Sequence, residues 1–234
     1  MLPTLYKSSW LTLYSYPILL GLAWAVGFQY YEKIFSKIVE NKNQRFFLFW
    51  GAFFVSWIGA KAFFLIFSAK EFMEQMYSQT SFWIGGGFVF YGGLISGFCF
   101  LFLSTRLLKM NQVQFFSKLA PVMALSHSIG RLGCVLAGCC FGKELNFFGF
   151  YKLPTQLIEA IFLFALWRLL KEGKETNLYL YPLGYGVFRF FIEFFRGDLI
   201  RGELIEGIST SQGLSLIIIL ITLTWIVLRK KIKV

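Results

Sequence analysis

Seven mostly apolar stretches, each near the length that crosses a lipid bilayer, recur along these 234 residues and leave few folds open. They lie near Trp10–Tyr31, Phe46–Phe67, Phe82–Leu103, Phe116–Leu136, Thr155–Leu170, Tyr179–Phe195 and Leu214–Leu228. In hydrocarbon no water satisfies a backbone N–H or C=O, so segments of this length fold as helices with all their hydrogen bonds internal. Composition agrees: 57% of the residues are hydrophobic and only 15% charged, too few to clothe a water-soluble surface. The first apolar run follows a single Lys7 and shows no small-residue cleavage site, so it reads as a retained helix. The expectation is an all-α membrane protein, a polytopic bundle of about seven transmembrane helices forming one domain over residues 1–234.

The net charge of +11 raises the question of nucleic acid, and the placement of the charges answers it. Lys33, Lys37, Lys42, Arg45, Arg106, Lys109, Lys118, Arg168, Lys171, Lys174, Arg229, Lys230, Lys231 and Lys233 fall on one side of the expected spans. Lys7, Lys70, Lys143, Lys152, Arg196 and Arg201 fall on the other. Fourteen against six, alternating segment by segment, is the pattern of a topology signal and of contact with anionic lipid. No nucleic-acid partner is expected, and the alternation puts the N-terminus outside and the C-terminus in the cytoplasm.

Ionisable residues inside a spanning helix cost about 2.5–3.5 kcal/mol each on insertion scales and ask for a partner or a task. Here they are Lys61, His127, Arg131, Glu159, Arg189 and Glu193, with Arg196 at a helix end, and the expected orientation puts all of them toward the outer half of the membrane. Arg189, Glu193 and Arg196 recur at i, i+4 and i+7, on one helical face. An internal ion pair would serve helix packing alone. Four cations against two carboxylates leave a surplus of positive charge, however, and guanidinium forks suit phosphate oxygens. The phosphate available at that depth belongs to phospholipid.

Glycines 85, 86, 87, 92, 93 and 97 suit close helix packing or the approach of a lipid. His127 stands four residues before Arg131, on the same face. Cys134, Cys139 and Cys140 follow no established zinc spacing; on a continuous helix they point in different directions, and a joint metal site would require a break near Gly138. They are read as space-filling residues, with no metal and no cofactor expected.

The segment Gly130-Arg131-Leu132-Gly133, followed by Gly138 and Gly142, resembles the signature of the prolipoprotein diacylglyceryl transferases of the bacterial cytoplasmic (inner) membrane. Further blocks occur in the family's order: the glycine-rich segment Gly85–Gly97, Ala120-Pro121, Leu153-Pro154-Thr155-Gln156-Leu157-Ile158-Glu159, Gly184–Arg196 and Ser211-Gln212-Gly213-Leu214-Ser215. The resemblance implies transfer of the diacylglyceryl group of phosphatidylglycerol to the lipobox cysteine thiol of a preprolipoprotein, recognised through its signal peptide. It implies Arg131, Arg189 and Tyr91 as catalytic residues. Lys61, Gly92, Gly93, Glu159, Glu193, Arg196 and Gln212 follow as residues that bind substrate or support the site.

Four departures mark this chain within that pattern. Tyr91 stands where the family has histidine, Cys134 where it has asparagine and Cys139 where it has glutamate, and the connection from Gly142 to Pro154 is short. They keep two other functions in view: a transferase with the same donor and a different acceptor, and a non-catalytic lipid-binding membrane protein. With the substrate supplying the thiol, Cys134→Ser and Cys139→Ser are each expected to leave activity.

Overall fold

A computed structural model describes residues 4–7, 12–67, 90–147, 150–197, 203–205 and 207–232. Seven helices run through them: α1 (Ser15–Phe35), α2 (Lys42–Phe67), α3 (Phe90–Leu107), α4 (Gln112–Ala137), α5 (Thr155–Leu170), α6 (Asn177–Glu193) and α7 (Thr210–Ile232). Three short antiparallel hairpins complete the described elements: β1 (Thr4–Lys7) with β2 (Thr12–Tyr14), β3 (Glu144–Phe147) with β4 (Phe150–Lys152), and β5 (Glu203–Ile205) with β6 (Ile208–Ser209). Each expected apolar segment overlaps a helix; Thr12–Tyr14 of the first form β2, and residues 10–11 of the first and 82–89 of the third lie outside the described residues. Segments of α2, α4 and α7 combine the length and mean hydropathy of a membrane span, and α3 contains a shorter apolar one. The protein is a helical membrane protein.

Burial is inverted relative to a protein in water. Ile221 on α7 is 64% exposed while the carboxyl-bearing Glu159 is 1% exposed. Leu107, Ile66, Ile161 and Leu220 are also exposed, whereas Lys61, Gln156, Arg189, Glu193, Arg196 and Gln212 are buried. Apolar side chains facing outward lose nothing in hydrocarbon, and polar ones turned inward find one another.

The chain forms two compact units, residues 32–115 and residues 1–31 with 116–234. In the first, Asn41 caps α2 by accepting the backbone N–H of Asn43 at 2.9 Å. The Arg45 guanidinium closes the α1–α2 turn, donating to Glu32 Oε2 at 3.1 Å and to the Val39 carbonyl at 2.6 Å. One cation of the topology pattern is thus also a buried clamp. Helices α2 and α3 meet along small residues: Ser96 Oγ donates to the Gly92 and Val55 carbonyls, and Gly92 and Gly93 are buried against α2.

In the second unit the buried positions of α5, Thr155, Gln156, Glu159, Ala160, Leu163, Leu166 and Leu170, form one stripe at helical spacing. Its apolar end packs Leu166 and Leu170 against Ala120 and Ala124 of α4, with Tyr181 and Tyr185 of α6 beside them. Phe162 and Phe188 stack at 4.0 Å between α5 and α6. Asn177 donates to the Leu170 carbonyl at 2.7 Å, closing the α5–α6 turn. The polar end of the stripe is left for the site.

A Cβ on Gly92 would meet the Gly59 carbonyl oxygen and the Phe63 Cβ at 2.6 Å, so Gly92→Val is expected to cost about 1–3 kcal/mol by overpacking. Gly21→Ala, with nothing within 4 Å, should be neutral or stabilising by up to about 1 kcal/mol. Thermal unfolding in detergent checks the pair; equal midpoints would contradict the packing seam.

Candidate functional site

The site grows from the ends of helices in the second unit: the last turns of α4 and α6 and the first turns of α5 and α7. Glu159 is its centre. Arg131 Nη2 of α4 pairs with Glu159 Oε1 at 2.9 Å, and the Tyr185 hydroxyl of α6 donates to the same oxygen at 2.8 Å. His127 Nε2 lies 3.9 Å from that oxygen, its ring edge-on to Tyr185 at 4.9 Å. Ser128 Oγ, donating to the Ala160 carbonyl at 2.8 Å, fixes α4 against α5 at this level. Three helices therefore converge on one carboxylate.

One turn beyond Tyr185, Arg189 Nη2 pairs with Glu193 Oε2 at 2.8 Å and donates to Ser211 Oγ of α7 at 3.1 Å. Ser211 is placed by a capping box: Gln212 N donates to Ser209 Oγ at 3.1 Å, and Ser209 N donates to Gln212 Oε1 at 3.0 Å. Gln212, expected at the site, holds the start of α7 and so the partner of Arg189. Arg196 is buried just past α6, and its backbone bridges Gly142. A Cβ on Gly142 would meet the Phe195 carbonyl oxygen at 2.6 Å and Leu153 Cβ at 2.8 Å, so this segment closes only with glycine there.

Two buried donors remain without a hydrogen-bond partner among the described residues of the site: Arg131 Nε and Arg189 Nη1. A buried guanidinium N–H left unpaired is costly, so each of the two calls for an acceptor.

Helix α4 ends in a Schellman motif. Cys139 N donates to the Cys134 carbonyl at 3.3 Å, Gly138 N to that of Val135 at 3.3 Å, and Gly138 takes φ +72°. Cys140 follows at φ +62°, and the chain doubles back so that the sulfurs of Cys134, Cys139 and Cys140 all lie within 4.8 Å of one another. The break near Gly138 is present, and the directions these cysteines would take on a continuous helix no longer apply. Hydrogen bonds from the Cys134 and Cys139 thiols, then the charges of Arg196 and Arg131, pull the Cys140 thiol below its ordinary range.

With this geometry in place, similarity to known proteins becomes informative. The family profile for prolipoprotein diacylglyceryl transferase matches residues 3–228. The chain belongs to the prolipoprotein diacylglyceryl transferase family. Its relatives include a Clostridium tetani phosphatidylglycerol–prolipoprotein diacylglyceryl transferase, 29% identical over 94% of this chain and 95% of that one. A Streptococcus suis enzyme of the same name is 31% identical over 93% of this chain and 88% of its own. A Clostridium perfringens phosphatidylglycerol–prolipoprotein diacylglyceryl transferase 2 is 33% identical over 70% of each chain.

In this diacylglyceryl transferase relative, Arg131 with Glu159 and Arg189 with Glu193 form two ion pairs, while Arg196 is buried just past α6 and Gln212 caps the start of α7. Lys61, Gly92 and Gly93 are buried in the other unit, the glycines in the α2–α3 seam. Tyr91 is in α3, and its side chain lies outside the described residues, as do Gly85, Gly86 and Gly87. Tyr185 and Ser211 were not expected at the site. The i, i+4 spacing of Tyr185 and Arg189 is the signal that pointed to Tyr185; nothing in the sequence ties Ser211 to Arg189.

Glu159→Gln strips the Arg131 guanidinium of its counter-charge and is expected to cost about 3–5 kcal/mol. Tyr185→Phe removes one hydrogen bond to a charged group, about 1.5–3 kcal/mol. Unfolding in detergent should rank the glutamate change as the worse of the two, and the reverse order would contradict Glu159 as the centre.

Proposed function

We propose that this protein transfers the diacylglyceryl group of phosphatidylglycerol to the cysteine thiol of a preprolipoprotein, in one membrane-embedded domain. The observation that carries the reading is the pair of arginines, each neutralised by its own glutamate and each keeping one buried donor unpartnered. A phosphodiester is an acceptor of the right charge and geometry for two such donors.

The reaction is an alkylation of sulfur. The thiol loses its proton, a bond forms from sulfur to the glyceryl carbon, and the bond from that carbon to phosphate oxygen breaks with its electron pair going to the phosphate. Negative charge gathers on the departing glycerol phosphate, so Arg131 and Arg189 stabilise the transition state more than the bound lipid. Glu159 and Glu193 orient them, Tyr185 and Ser211 position those pairs, and Arg196 adds positive charge at the rim. Lys61, Gly92, Gly93 and Gln212 complete the set as substrate-binding or supporting residues. Tyr91 takes the place of the family's histidine, and a phenol of ordinary pKa about 10 is a poor base near neutrality.

Seven crossings put the N-terminus outside and the C-terminus in the cytoplasm, with the arginine pairs toward the outer leaflet. The Lys and Arg alternation supports this orientation. Reporter fusions should place the two ends on opposite sides; both on one side would contradict it.

Arg131→Ala and Arg189→Ala are each expected to lower transfer by about a hundredfold or more while the protein remains in the membrane. Lysine should restore little, because an ammonium cannot reproduce the planar fork. Transfer from labelled phosphatidylglycerol to a lipobox peptide measures it, and full activity in either alanine variant would refute the assignment.

A further inference from the structure

We propose that Cys134, Cys139 and Cys140 form a three-thiolate zinc site whose open fourth position binds the acceptor thiol. The inference rests on the transferase reading above and adds the group that activates the nucleophile.

The backbone is shaped to bring these sulfurs together. The helix stops at Ala137, Gly138 turns left-handed, and Cys140 adopts φ +62°, a conformation that costs a residue with a Cβ roughly 1–2 kcal/mol. The result is three sulfurs within 4.8 Å of one another. Zn–S bonds of about 2.3 Å in a tetrahedron set sulfurs about 3.8 Å apart, so small side-chain rotations complete the set.

The loop that carries two of the ligands is held from α5. Thr155 Oγ1 donates to the Cys140 carbonyl at 2.9 Å, and Gln156 Nε2 donates to that of Cys139. Such support fixes metal ligands in place. Gln156 lies three residues before Glu159 and Cys134 three after Arg131, so Cys134 stands one helical turn from Arg131. Cys134 is buried while Cys139 and Cys140 are not, which leaves the cluster open on one side.

Zinc with three protein ligands and one open position is the arrangement of catalytic rather than structural sites. A thiol that takes the fourth position gives up its proton to water and is held as thiolate. The zinc-bound sulfur then attacks the glyceryl carbon as the carbon–oxygen bond breaks, and the phosphate leaves with the electron pair between Arg131 and Arg189. No electron is exchanged with the metal. The product thioether is a weaker ligand and departs. The site supplies what the weak base Tyr91 does not, and it replaces the space-filling reading of these cysteines.

The test uses the intact protein, purified reduced in detergent, equilibrated with micromolar Zn²⁺ and desalted. About one zinc per chain is expected by elemental analysis, and less than about 0.1 would overturn the proposal. With Co²⁺ as probe, tetrahedral thiolate bands should appear in the visible spectrum. They should shift on adding a lipobox peptide and stay unmoved by the same peptide with serine for cysteine; no shift with either would overturn the fourth-position role. Cys134→Ser, Cys139→Ser and Cys140→Ser should each lose the metal and at least about a hundredfold in transfer. Arg131→Ala should keep the metal and the spectral response while losing transfer. Full transfer by the metal-free wild type would sink this inference and leave the transferase reading intact. A spectral response without any transfer by the wild type would do the opposite.

Discussion

A carboxylate removed from water must be answered by charge, and in this protein the whole site is arranged around that demand at Glu159. Its desolvation costs several kcal/mol, recovered only with a close counter-charge and further hydrogen bonds. Arg131 supplies the first at 2.9 Å and Tyr185 a second contact at 2.8 Å. Because the three residues stand on α4, α5 and α6, satisfying one oxygen fixes the register of three helices. The second pair, Arg189 with Glu193, is then placed by α6 itself and tied to α7 through Ser211.

This arrangement reconciles stability with binding. An arginine wholly consumed by its glutamate would only hold helices together, and one wholly unpaired would not be tolerated at that depth. Each arginine here is half committed, with one nitrogen on a carboxylate and another, Arg131 Nε or Arg189 Nη1, unpartnered. In the proposed reaction those atoms meet the phosphate, and the cysteine loop one turn away presents the sulfur that attacks. Donor lipid and acceptor thiol then approach from two sides of the same helix ends.

Much of the helical layout was legible in the sequence, because a spanning helix is written in its apolar length and each expected segment overlaps a helix among the described residues. The pairing of Arg189 with Glu193 on one face was legible for the same reason, since helical periodicity is local, whereas Arg196 falls just past the end of α6. The partnership of Arg131 with Glu159 was not, since it crosses from α4 to α5 and depends on packing that no spacing encodes. Gln212, which the resemblance implies as a site or supporting residue, also stands in a sequence order, Ser209-Thr210-Ser211-Gln212, that spells a capping box, and its side chain acts on the backbone that delivers Ser211. For the cysteines, a continuous helix was the wrong frame. Gly138 ends α4, and left-handed backbone at Gly138 and again at Cys140 gathers the three sulfurs.

The central claim is that Arg131 and Arg189 hold the phosphate of the donor lipid together. A structure determined experimentally with phosphatidylglycerol bound tests it most directly. The account predicts the headgroup phosphate between α4 and α6, hydrogen-bonded to Arg131 Nε and Arg189 Nη1 while both glutamate pairs persist. A phosphate held elsewhere, with those two nitrogens still unoccupied or turned onto protein groups, would contradict it.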